Sequence, residues 1–191
     1  MNNILIHVMR HLFKFVLVLL MADSLVVAPS ALASDEVKAT PGQTYYTLFS
    51  FFYEGDHHMT TNYRKGALVP INTTVKFIES DDEEIVVSIW GKEIRIINVP
   101  GFSGEDMEGI FTRMFGSAPI NLDKFTSQEK ENILAGTVVE GMRKDAVICA
   151  LGYPPKHRTP SLSAAEWRYW HNRVNSFLVC FSDGKVARIK E

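Results

Sequence analysis

Between residues 45 and 99 apolar and polar positions alternate over short runs, and the spacing predicts five short strands. The run YYTLFSFF at residues 45–52 is aromatic and β-preferring, and Glu54-Gly55-Asp56 follows it with turn chemistry. It therefore opens a hairpin whose return strand is residues 59–63. Lys65-Gly66 begins a loop ending at Pro70, whose missing N–H cannot join a ladder. Residues 73–79 alternate, with Val75 and Phe77 on one face. Residues 84–90 and 92–99 are two further strands around Gly91, with Ile85, Val87 and Ile89 sharing a face of the first. This density of short strands predicts a small N-terminal β-barrel or rolled sheet over residues 40–100, ended by Pro100-Gly101.

The period then changes. Ser103 and Asp106 form a capping-box-like start, and Met107, Ile110, Phe111, Met114 and Phe115 recur at helical spacing before Gly116. This helix and its linker, residues 101–125, connect the barrel to the region from residue 126 onward; the Phe- and Met-rich face either packs against the neighbouring layers or fills a partner's groove. Thr126 and Glu129 supply a second capping box, with Ile133 and Leu134 as the apolar stripe and Gly136 as the stop. Residues 141–152 hold a third helix, ended by Gly152 before Pro154-Pro155. Residues 167–171, 176–182 and 185–190 read as closing strands, the last two joined by Asp183-Gly184, a dipeptide favoured in type I′ hairpins. The fold class is α+β, with a two-helix, three-stranded antiparallel layer pair in residues 126–191.

The first 33 residues form a leader. Arg10 and Lys14 precede an apolar run that is broken at Asp23, and the segment closes with Ala31-Leu32-Ala33, the order of a cleavable signal peptide rather than a membrane span. The mature chain is therefore expected to be periplasmic or secreted, without an integral membrane span. No Cys follows the cleavage site to accept a lipid anchor. A formal charge of -2 over 191 residues leaves no electrostatic case for a nucleic-acid partner. Export bears on Cys149 and Cys180, which either form a disulfide or remain small buried apolar residues. Neither lies in a CxxC or at ligand spacing from a His, so no zinc site is expected.

The carboxyl-terminal third carries a family resemblance. Gly141-Met142-Arg143-Lys144-Asp145-Ala146-Val147, Leu151-Gly152-Tyr153-Pro154-Pro155, Trp167-Arg168-Tyr169 and Phe181-Ser182-Asp183-Gly184-Lys185-Val186 stand in that order. They resemble the SmpA/OmlA, or BamE-like, pattern, in which a G-M-[TS]-K-x-x-V helix ends at L-G-x-P and a W-x-Y strand precedes one closing with F-x-x-G-x-V. The resemblance covers residues 131–190. It implies two helices packed on a three-stranded antiparallel sheet, in envelope proteins that bind other proteins; the best-known member is a lipoprotein of the outer-membrane β-barrel assembly machinery. Arg143 stands where the family has Thr or Ser. The N-terminal half is loosely similar to bacterial Src-homology-3-like barrels, by strand rhythm alone.

Candidate binding residues cluster in the last third. Trp167 and Tyr169 fall on one face of a strand and Arg168 and Trp170 on the other, so either a large ring faces outward or the rings are packed against helices. The loop with Lys156, His157 and Arg158 is long for a helix-to-strand connection and concentrates polar groups. His57 and His58 are adjacent on a strand, which points them to opposite faces and disfavours one shared metal ion. His157, His171 and Ser161 lack a third group and a nucleophile elbow, so no catalytic residue is assigned, and no cofactor is expected. Two functions are compatible with these features. One is a non-enzymatic exported module engaging an envelope protein or cell-wall component; the other is a periplasmic hydrolase of an envelope polymer, which would need two acids facing a cleft.

Overall fold

A hydroxyl decides the path of the first strands. The run expected as one strand over residues 45–52 breaks into β1 (Thr44–Thr47) and β2 (Phe51–Tyr53). Between them sits the fully buried Ser50, whose N–H donates to the Cys149 carbonyl at 2.9 Å and whose Oγ donates to the Ile133 carbonyl at 2.8 Å. Satisfying a buried backbone and a hydroxyl outweighs continuing the ladder. The hairpin expected from this run shrinks to one bridge, Glu54 to His57. β3 (His57–Met59) instead runs parallel to β7 (Lys92–Ile97), and β2 pairs with β4 (Ala67–Val69).

The computed structural model describes residues 39–191; the predicted leader lies outside them. β5 (Thr74–Ser80) and β6 (Glu84–Ile89) complete a curled, six-stranded half-barrel in the order β3-β7-β6-β5-β1-β8, where β8 is Phe115–Gly116. The fold is mixed α+β. Val75, Phe77, Ile85, Val87, Ile89, Ile94 and Ile96 all point inward, the face that alternation selects. Trp90 and Gly91, at φ 52° and 80°, make the β6–β7 turn.

Pro100 does more than end the sheet: with φ preset for a first turn, it starts the short helix α1 (Pro100–Ser103). The amphipathic helix therefore begins later than expected, as α2 (Met107–Met114), capped by Asp106, whose side chain accepts from the Gly109 N–H at 2.9 Å. Met107, Ile110, Phe111 and Met114 plug the curled sheet, and Phe111 meets Tyr45 and Phe77 edge to face at 5.0 and 5.6 Å.

A second core lies between α3 (Ser127–Ala135), α4 (Lys144–Leu151) and the sheet β11-β10-β9, formed by Lys185–Lys190, Ser176–Ser182 and Glu166–Trp170. The Thr126–Glu129 capping box is complete. Ile133 is fully buried, whereas Leu134, expected in the same stripe, is exposed. α4 starts only at Lys144, because Gly141 and Met142 run beside β11: Gly141 donates to the Val186 carbonyl, and Val186 to that of Met142, each at 2.8 Å. Asp183 and Gly184, at φ 52° and 76°, form the β10–β11 turn.

Cys149 and Cys180 are free, buried thiols, which corrects the disulfide reading. Parity along β10 separates them: Phe177 and Val179 join Cys149 in the second core, whereas Cys180 points to the other face and donates to Glu166 at 3.4 Å. Burial pushes the Cys149 thiol up to about 11.

Candidate functional site

The long loop after α4 is held by its backbone. Gly152 ends the helix at φ 73°, where a Cβ would sit 2.7 Å from the Phe49 ring, and the chain leaves extended into Pro154-Pro155. Arg158 and Thr159 then donate to the Pro155 carbonyl at 3.1 and 3.0 Å, closing a turn. The buried Thr159 accepts from the Arg168 N–H at 3.0 Å, satisfying part of the open edge of β9. Lys156 donates to the Phe102 carbonyl at 2.7 Å and so fastens the loop to α1.

This scaffold puts His157 between two rings. Its imidazole lies 4.4 Å from Phe102 and is stacked 5.5 Å from Trp170; Phe102 and Trp170 are half-buried and His157 is exposed. Burial, and then the charge of Arg158, lower the pKa of His157, so the ring is neutral near pH 7. Arg158 itself is exposed. Trp167 and Tyr169 are not surface residues. At 1% and 0% exposure they face the helices, Tyr169 donating to the Gly152 carbonyl at 3.0 Å, and this corrects their reading as binding residues. The sheet needs an apolar inner face, and parity leaves only Trp170 of the three rings outside it.

Beside the ring ladder, a small open groove runs between α1, α2 and the loop. Tyr153 walls it, with the Arg113 guanidinium 4.9 Å over its ring and Phe49 6.0 Å away edge to face. Arg113 pairs with Glu105. Asn98 accepts from Thr60 at 3.0 Å and Ser103 at 2.8 Å, while Asn62 donates to the Leu151 and Tyr153 carbonyls at 2.7 and 3.2 Å. These polar groups spend their hydrogen bonds on the protein itself, and what the face presents to a neighbour is ring surface.

His58 floors the groove, a role that sequence reasoning missed. It is buried, and its Nδ1 bonds the Phe52 carbonyl at 2.7 Å. Burial drives its pKa down to about 4, against the pull of that carbonyl, so the ring is neutral with Nδ1 as donor. His57 lies on the other face of β3, paired with Asp56 at 3.2 Å. No local signal distinguished the two histidines; only the pairing of β3 with β7 decides which is buried.

The structure does not bring His157, His171 and Ser161 together. His171 stacks on Phe177 and pairs with Glu191 at 3.3 Å, while Ser161 bonds Ser163 at 2.7 Å. Among the described residues, no group of three or more His, Cys, Asp or Glu is placed to hold a metal ion, and no helix is long and apolar enough to cross a membrane. No family model matches the chain, and neither does any curated protein or solved structure.

Proposed function

We propose that the chain is an exported, non-enzymatic binding module of the cell envelope that acts through protein–protein contacts. The observation that carries this reading is the ladder Phe102–His157–Trp170, a neutral, half-exposed aromatic stack beside a groove whose Thr60, Asn62 and Ser103 side chains already bond the protein itself. Rings held by short backbone bonds lose little entropy when a partner covers them, and Trp is favoured at the centre of interfaces. The resemblance of residues 131–190 to the BamE-like pattern supports the same class, with an envelope protein or cell-wall component as partner and outer-membrane protein assembly as the process.

Mild crosslinking of the full exported chain, followed by co-purification, tests the proposal. A partner captured by the native protein and lost from a folded His157→Ala/Trp170→Ala variant is the expected result. Equal capture by both, or capture by neither, removes the ring ladder as the binding surface.

A further inference from the structure

Among the described residues three buried side-chain polar atoms have no hydrogen-bond partner: Thr61 Oγ1, Trp167 Nε1 and Arg64 Nη1. Only the last carries charge. Arg64 lies between β3 and β4, where its backbone N–H donates to the Trp170 carbonyl at 3.2 Å. Its Nη2 donates to the Gly136 carbonyl at the end of α3, and its guanidinium sits 4.9 Å over the Phe52 ring. A helix carbonyl and an aromatic face partly offset the charge. Arg64 is half-buried, and no carboxylate among the described residues pairs with it, although a covered guanidinium nitrogen ordinarily finds a partner. Burial accordingly pushes its pKa down to about 10.

This guanidinium lines an open groove whose other walls include the apolar side chains of Phe52, Val138, Leu151, Phe177 and Ile189. The acid on its lining, Glu191, is engaged by His171. A fork of N–H donors with an unfilled position, set among apolar walls, matches a carboxylate that carries an apolar tail. We propose that this groove binds such a carboxylate, its oxygens on the Arg64 guanidinium and its tail along Phe52 and Val138. The site is separate from the ring ladder. Nη1 is covered in the free protein, so the Arg64 side chain or a neighbour must shift as the carboxylate enters.

The probe is N-acetyl-L-phenylalanine, with its carboxamide as the uncharged twin, titrated into the full chain by two-dimensional NMR. The acid should shift the amides of Phe52, Gly136 and Val138 and bind at least about tenfold more tightly than the amide. Arg64→Met, checked for folding by circular dichroism, should abolish the shifts. Arg64→Lys keeps the charge without the fork and should bind several-fold more weakly; it serves if the Met variant does not fold. Absence of shifts with the acid, equal binding of acid and amide, or unchanged binding by a folded Arg64 variant would each overturn the proposal. Inorganic phosphate binding at the same amides as tightly as the acid would also overturn it, since the apolar tail would then contribute nothing.

Discussion

Glu129 joins the starts of two helices, and its removal tests how the second core is assembled. Its side chain is 3% exposed. Oε2 accepts from the Thr126 N–H at 2.9 Å and hydroxyl at 3.2 Å, while Oε1 accepts from the Arg143 N–H at 2.9 Å and Nε at 3.2 Å. Arg143, the residue before α4, makes no side-chain cap; its backbone N–H and side chain bond Glu129 instead. Arg143 is 40% exposed and keeps Asp145 at 3.8 Å, so deleting Glu129 strands no buried charge; it removes the capping box and leaves the Thr126 and Arg143 N–H groups without their acceptor, a cost of about 1–3 kcal/mol. Glu129→Ala should therefore lower Tm by roughly 2–12 °C, at about 2–4 °C per kcal/mol for a domain of this size. Glu129→Gln keeps the shape and an acceptor and should lose about half as much. Burial alone would raise the Glu129 pKa, but the donors from Arg143 and Thr126 outweigh it and hold the carboxyl below its ordinary value. A carboxyl depressed on folding stabilises above its unfolded pKa and loses that contribution as pH falls through the folded value. The gap between wild type and Glu129→Gln should therefore be full at pH 7 and shrink below about pH 4. Thermal melts followed by circular dichroism at pH 7, 5 and 3 measure both effects. A Glu129→Ala variant as stable as the wild type at pH 7 would refute the account, as would a gap that does not change with pH.

Two further outcomes concern buried groups. His58 is depressed from 6.5 to about 4, so the unfolded chain binds more protons between those values and stability should fall as pH drops through that window, by about 3 kcal/mol in all; His58→Phe should flatten this slope in urea melts at pH 7 and 4.5, and an unchanged slope would place the acid sensitivity elsewhere. Val147 is fully buried between α4 and the sheet, so Val147→Asp should cost several kcal/mol and leave the purified chain largely unfolded by circular dichroism, whereas a native-like melt would mean that the α4 register is wrong.

Where an element's partner was its immediate neighbour, local chemistry sufficed. The Thr126–Glu129 box, the alternation in β5 and β6 and the Asp183-Gly184 turn all formed at the expected residues. Expectations failed where a distant group competed. Ser50 leaves its strand for carbonyls 83 and 99 residues away, those of Ile133 and Cys149. Gly141 and Met142 join β11 rather than the helix. The candidate site divides in the same way. His157, Arg158 and Trp170 were marked by composition and loop length, but nothing nearby in sequence announced that Phe102 would complete the stack, that His58 would be buried, or that Arg64 would be half-buried with no counter-charge.

The sequence by itself determined the coarse order, strands, then helices, then strands, and the apolar faces of β5 and β6, because these depend on side-chain period, caps and turn residues within a few positions. It also singled out the loop that carries His157. Only the tertiary structure decided which strands pair, which of two rings or two histidines on one strand meets solvent, that Cys149 and Cys180 lie on opposite sides of a sheet, and that Arg64 is enclosed without a counter-charge. Those outcomes depend on how buried polar groups more than fifty residues apart satisfy one another, and that balance is struck only when both cores are packed.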